Sequence, residues 1–164
     1  MSERKFIIVA PHADDEVIGC FTLLRANAVD TIVFGTEGAM KEFNIAILKA
    51  DIRFDVKCNY LDNYPFVASI NKVFLFPDPT YETHPEHRRI GMLGEEILRA
   101  GGNVVFYTVN MSAPYIFEVQ EPLIKRKCLD SLYPNKKSLW EYDHRYFLFE
   151  GYTKWLIGGK ICLV

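Results

Sequence analysis

Apolar residues in this chain come either in short unbroken runs or at a spacing of three to four, and the two patterns alternate. Phe6-Ile7-Ile8-Val9-Ala10 is the first run and reads as a short, fully buried strand. Residues 15–27 follow with Val17, Phe21, Leu24 and Ala28 at helical spacing. After punctuation at Asp30, residues 31–36 read as a second buried strand, and residues 41–52 as a second helix that turns Phe43, Ile47, Ala50 and Phe54 towards a sheet. Residues 56–61 form a half-polar third strand that breaks at Asp62-Asn63-Tyr64-Pro65. Residues 72–76 form the fourth, stopped by Pro77-Asp78-Pro79. Pro85 suits the first position of the next helix, with Ile90, Leu93 and Ile97 as its buried stripe and Gly101-Gly102 as its stop. Residues 103–109 read as a fifth strand, 116–119 as a short edge strand, and 121–132 as a helix. Residues 143–156 read as helical, with Phe147, Tyr152 and Trp155 for burial, and residues 160–164 as a terminal strand of unassigned direction. This alternation predicts right-handed βαβ crossovers and a largely parallel sheet.

Composition narrows the picture. With 164 residues and no repeat, linker or low-complexity segment, residues 1–164 are expected to form a single domain. A formal charge of -2 and a pI near 6.1 give no electrostatic footprint for nucleic acid. The basic runs Lys125-Arg126-Lys127 and Lys136-Lys137 read as solvated surface. No apolar stretch reaches transmembrane length, and Ser2-Glu3-Arg4-Lys5 is too polar to open a signal peptide. Cys20, Cys58, Cys128 and Cys162 are scattered, without a Cys-x-x-Cys pair, and read as reduced packing residues of a cytoplasmic protein. The aromatics Tyr133, Trp140, Tyr142, Tyr146, Phe147, Phe149, Tyr152 and Trp155 crowd the last part of the chain. They read as core or as subunit contact, which leaves a homo-oligomer open.

The candidate chemistry lies at two strand ends. Ala10-Pro11-His12-Ala13-Asp14-Asp15-Glu16 sits at a strand-to-helix turn, where ligand sites of parallel sheets lie. His12 and Asp15, three residues apart, can reach one cation, while Asp14 must point elsewhere and is free to move protons. Thr83-His84-Pro85-Glu86-His87-Arg88 supplies two more histidines at the carboxyl end of another strand. Taken singly, the acids at a helix start suit a charged N-cap, and a His-x-x-His is a weak signal. Together they offer His, Asp and His with an open fourth position, the set expected of catalytic zinc. His144 has no comparable context.

Pro11-His12-Ala13-Asp14-Asp15-Glu16 resembles the His-Pro-Asp-Asp-Glu signature of the PIG-L/LmbE-like family of zinc-dependent N-deacetylases, and Thr83-His84-Pro85-Glu86-His87-Arg88 resembles its His-Pro-Asp-His motif. Thr36-Glu37-Gly38 falls where that family has a small polar turn, and Lys125 to Ser138, with Tyr133, is similar to a later helix of the family. The resemblance implies a Rossmann-like three-layer α/β/α sandwich. It implies one Zn2+ per chain on His12, Asp15 and His87, with iron or cobalt as the alternatives. It further implies Asp14 as general base and His84 as the group assisting the tetrahedral intermediate or leaving amine. The implied substrate is a small N-acetylated sugar, typically an N-acetylglucosamine conjugate, or a related amide. Three positions depart from the pattern. Ala13 stands for the usual proline and Glu86 for the usual aspartate, which changes the support around the site, and the segment between the fourth strand and the second motif is short. Two other readings compete: a catalytically silent metal-binding protein of the same fold, and a nucleotide-sugar transferase using Asp14 and Asp15 as a metal pair.

Overall fold

The apolar runs pair side by side into a parallel array of β1 (Phe6–Ala10), β2 (Val29–Phe34), β3 (Lys57–Tyr60), β4 (Val73–Pro77) and β5 (Asn103–Thr108). The computed structural model describes residues 5–50, 53–66, 71–110 and 115–154. Two further strands, β6 (Tyr115–Glu118) and β7 (Phe149–Lys154), extend the sheet antiparallel, giving the order β3-β2-β1-β4-β5-β7-β6. The intervening helices are α1 (Asp15–Arg25), α2 (Glu37–Lys49), α3 (Pro85–Arg99), α4 (Pro122–Leu132), α5 (Lys137–Tyr142) and α6 (Arg145–Leu148).

Strand residues alternate between faces, so one run feeds two cores. Ile8, Phe34, Leu75 and Tyr107 pack with Phe21 of α1, Phe43 of α2 and Leu129 of α4. Ile7, Val9, Phe74, Phe76 and Phe106 pack on the other face with Ile90 of α3. Helices therefore cover both faces of a mostly parallel sheet, a Rossmann-like α/β/α sandwich. The chain leaves β1 through α1 to β2 on one side and comes back as β4 on the other. That reversal opens a crevice above the carboxyl ends of β1 and β4. Packing at the rim of the crevice is tight. A Cβ on Gly91 of α3 would lie 2.3 Å from the Pro77 carbonyl, so only glycine lets the start of α3 settle on the end of β4.

Several boundaries differ from the sequence reading. Asp30 lies inside β2, which starts at Val29, its hydroxyl neighbour Thr31 donating to Asp30 at 2.7 Å. Helix α2 begins at Glu37, four residues before the expected start at 41, because the Thr36 hydroxyl caps the Ala39 N–H at 3.1 Å. Of the residues expected to be helical over 143–156, the described ones, 143–154, are not one helix. Among the described residues of that segment only Arg145–Leu148 is helical, and Phe149–Lys154 is strand β7. Phe149 and Tyr152 are a helical three apart, but Glu150 and Tyr152 are both buried on either side of Gly151, at the two-residue interval of a strand. The expected burial of Trp155 and the strand at 160–164 lie outside the described residues, as does Cys162.

Lys125 is not solvated surface. It is fully buried between α1, α4 and β7, donating to the carbonyls of Ile18 at 2.7 Å and Phe149 at 3.4 Å. Burial lowers its pKa, with the nearby Glu150 charge opposing. Glu150 in turn accepts the Thr22 N–H at 3.1 Å and the Thr22 hydroxyl. Four of the crowded aromatics, Tyr133, Trp140, Phe147 and Tyr152, are core, whereas Tyr142 is exposed. Cys20, Cys58 and Cys128 are free thiols. Among the described residues, no helix is long and apolar enough to cross a membrane.

Candidate metal centre

Where β1 meets α1, the chain turns through a conformation that L-residues avoid. Asp14 has φ 125° and ψ -30°. Its N–H donates to the carboxylate of Glu16 at 2.9 Å, and Tyr133 donates its hydroxyl to the other Glu16 oxygen. Glu16 is fully buried and ties the turn to the end of α4. Asp14 occupies the N-cap position, yet its side chain makes no capping bond. The carboxylate faces the crevice instead, 3.7 Å from the ammonium of Lys136.

Asp15 points the other way, as expected of neighbours at a helix start. Its Oδ2 accepts the His12 backbone N–H at 2.8 Å and lies 3.3 Å from His12 Nδ1 and 3.1 Å from His87 Nε2. The two ring nitrogens are 3.2 Å from each other, so His12 Nδ1, Asp15 Oδ2 and His87 Nε2 form a nearly equilateral triangle. A tetrahedral ion with bonds of about 2.0–2.1 Å needs its ligand atoms about 3.3 Å apart. Two imidazole nitrogens facing each other would set lone pair against lone pair unless a proton or a cation lies between them. The nitrogen–oxygen donor set and its spacing therefore fit a divalent metal ion, and these observations leave the identity of that ion open.

The second stretch reaches the triangle from β4. Asp78 follows the strand and accepts the N–H groups of Thr80 at 2.7 Å and Tyr81 at 3.1 Å, a tight turn that brings the chain back over the strand end. His84 then caps α3, its Nδ1 accepting the Glu86 N–H at 3.1 Å. Acceptance at Nδ1 places the ring proton of the neutral imidazole on Nε2, an assignment made from this bond. The three rings of His12, His84 and His87 stand with centroids 5.0–5.3 Å apart. All five residues singled out by the sequence thus converge. His144, as expected, lies apart, against Phe147.

The electrostatics agree with this geometry. Burial pushes Asp14 up to about 8, with Asp15 adding and Lys136 opposing. Burial would also raise Asp15, but hydrogen bonds from His12 and His87 outweigh it and hold this carboxyl well below the usual range. For His87 burial lowers the pKa, yet its bonds to Asp15 and Glu82 dominate and lift it to about 10. Positive charge is thus favoured at the ring that would otherwise hold a cation.

Three further residues support the site, of which the sequence reading singles out Tyr133 alone. Glu82 is buried with its Oε2 3.5 Å behind His87 Nδ1, an atom with no well-aligned hydrogen bond among the described residues. Its other oxygen accepts the Val109 N–H at 2.7 Å. A carboxylate behind a ligating imidazole orients the ring and raises its basicity. That support was expected to hinge on position 86, but Glu86 pairs outward with Arg89 at 3.0 Å. Lys136 donates to the Ala13 carbonyl and lies 3.4 Å from Glu42, so it belongs to the site and not to the solvated surface. Tyr133 is the third, acting through Glu16. A pattern of charges gives no sign of such contacts, since Lys136 meets Ala13 across 123 positions of chain. The triangle opens into a cavity of about 660 Å³, walled by Thr36, Glu42, Asn110, Lys136, Leu139 and Tyr146 among others.

No protein-family model and no curated protein matches the chain. Among solved structures it is similar to the crystal structure of the conserved protein TT1542 from Thermus thermophilus. The two share 17% identity at a TM-score of 0.62, with 93% of this chain and 94% of that one covered. At that identity the likeness extends to the fold alone.

Proposed function

We propose that the protein is a metal-dependent N-deacetylase that removes the acetyl group from an N-acetylglucosamine-type conjugate or a related amide, as its resemblance to the PIG-L/LmbE-like family implies. The observation that carries this reading is the triangle of His12 Nδ1, Asp15 Oδ2 and His87 Nε2 at the floor of a cavity, with Asp14 beside it and outside the ligand set. When bound, a divalent ion, zinc in this reading, supplies a Lewis acid for the amide carbonyl and a water of lowered pKa.

The chain's own residues do the rest. The Asp14 carboxylate, lining the cavity, takes the proton of the attacking water. Its place in the cavity, turned away from the ligand set and beside Lys136, suits a base that accepts a proton and returns it. His84, with Nδ1 engaged by Glu86, presents Nε2–H to the oxygen that gains charge as the carbonyl carbon becomes tetrahedral. Asp14 then gives its proton to the nitrogen, the C–N bond breaks, and acetate and free amine leave. The competing carboxylate-pair reading finds no support here, because Asp14 turns to Lys136 while Asp15 turns to the histidines.

The test is mass-spectrometric detection of acetate and amine release from a panel of N-acetylated sugars and small amides, with metal content measured on the same samples. Wild-type protein is expected to cleave at least one panel member. Asp14→Asn is expected to keep its metal and lose roughly 10² to 10⁴-fold in turnover. A fully loaded wild-type protein inactive on the whole panel would favour the silent metal-binding reading.

A further inference from the structure

The Ala13–Asp14 peptide is held at both of its polar groups, and both holds lead to Tyr133 and Lys136, just beyond α4. Its N–H donates to the buried carboxylate of Glu16 at 2.9 Å, and Tyr133 donates its hydroxyl to the other oxygen of that carboxylate. Its carbonyl accepts from the ammonium of Lys136. The same Nζ stands 3.7 Å from Asp14 Oδ2 and 3.4 Å from Glu42 Oε1, with the Tyr133 ring 5.4 Å away.

The backbone left to itself would not choose this arrangement. The Asp15 N–H donates to the His12 carbonyl at 3.3 Å and closes a turn over residues 12–15. Asp14, the third residue of that turn, has φ 125° and ψ -30°. A positive φ there marks the type II family of turns, which favours glycine at this position. Half a turn of the Ala13–Asp14 peptide would carry φ into the ordinary right-handed region with ψ as it stands, the type I form that aspartate adopts without strain. That rotation would take the Ala13 carbonyl off Lys136 and the Asp14 N–H off Glu16. The strained form is the one present, and Glu16, Tyr133 and Lys136 hold it.

Beside a metal such a hold has a use. A divalent ion on His12, Asp15 and His87 attracts a carboxylate within reach, and Asp14 lines the same cavity. Lys136 draws Asp14 the other way, and the Ala13 carbonyl anchors Lys136. We infer that Glu16 and Tyr133 are positioning residues: by fixing the Ala13–Asp14 peptide they hold Lys136 beside Asp14 and keep the Asp14 carboxylate out of the metal's ligand set. The inference rests on the deacetylase reading only for what Asp14 does once it is held there. With the peptide released, Lys136 loses its anchor and Asp14 closes on the ion, filling the position that catalysis needs open.

The test is the visible absorption of cobalt(II)-loaded protein, which changes in position and strength when a ligand is added or exchanged. Tyr133→Phe removes one hydroxyl and keeps the ring, while Lys136→Met removes the ammonium at a partly exposed position. Both spectra are expected to depart from wild type, and adding Asp14→Asn to either is expected to restore the wild-type spectrum. Urea denaturation shows whether a variant folds, and if Tyr133→Phe does not, Lys136→Met decides. A purely structural tie would lower the denaturation midpoint without moving the spectrum. A folded variant of either kind with the wild-type spectrum overturns the inference, as does a spectral change that persists without the Asp14 carboxylate, or a wild-type protein that takes up no cobalt. Where an amide is cleaved, each variant is expected to lose up to roughly 10²-fold in kcat with KM held. If no amide is cleaved, the spectra still decide the positioning and the deacetylase reading alone fails.

Discussion

Two regions of this molecule bury ionisable side chains, and only one of them has a use for its charges. Between α1, α4 and β7, Lys125 and Glu150 are sealed from solvent and fully engaged: the lysine by two backbone carbonyls, the glutamate by the N–H and hydroxyl of Thr22. At the crevice above β1 and β4, Asp14, Asp15, Glu82 and His87 are equally buried. There the pairing is incomplete. Two ring nitrogens confront each other, His87 Nδ1 lacks a well-aligned partner among the described residues, and a non-glycine residue holds φ 125°. Burial and shifted pKa values alone do not separate a structural ion pair from a site. Polar groups left unmet beside an open cavity do.

The widest gap between the two regions should appear when a charge is removed. Lys125→Met leaves two carbonyls without their donor and Glu150 without its counter-charge, and it should destabilise the fold by about 3–5 kcal/mol. Urea denaturation reads this directly, and metal affinity of the folded variant should match wild type. A loss below about 1 kcal/mol would place Lys125 in a more forgiving environment than its burial implies.

A smaller effect is expected one residue behind the triangle. Glu82→Gln keeps the shape but removes the charge that orients His87, and should weaken zinc affinity about 10 to 100-fold. Competition against a chromophoric chelator measures this without any substrate. Unchanged affinity would mean that the Val109 contact, and not His87, is what Glu82 serves.

A further contrast separates the regions by pH. In metal-stripped protein Asp14 is pushed up to about 8 by burial and by Asp15, from 3.8. A folded pKa raised above the unfolded one stabilises fully below the unfolded value, and the contribution is lost as pH climbs through the folded value. Glu16, pushed up to about 7 by burial, slopes the same way. Stability of the stripped protein should therefore fall between about pH 4 and pH 8, and Asp14→Asn should flatten that fall. An identical slope in the variant would remove Asp14 as its source.

The same contrast explains what the sequence could disclose. Residues 6–10 and 72–76 are largely apolar runs that read as strands buried on both faces, and the histidines and acids of the loop or turn after each fall at the rim by topology. Local pattern sufficed for these because strand, turn and ligand are contiguous in the chain. Lys125 and Lys136 were illegible for the opposite reason. Each stands in a basic run that local pattern assigns to water, while its partners lie 107 and 123 positions away. Strand β7 was obscured because its aromatic residues mix the two periods, two apart at 147 and 149 but three apart at 149 and 152, and its insertion between β5 and β6 is a long-range pairing. The resemblance to the deacetylases named the five convergent residues but carried no signal for Glu82, which lies outside both motifs.

The central claim is that His12, Asp15 and His87 hold one divalent metal ion while Asp14 stands beside it without binding it. Elemental analysis of purified wild-type, His87→Ala and Asp14→Asn proteins, each reloaded with zinc and desalted, tests it most directly. The account predicts one equivalent per chain in wild type and in Asp14→Asn, and almost none in His87→Ala. Equal metal in wild type and His87→Ala, or none in wild type, would contradict it.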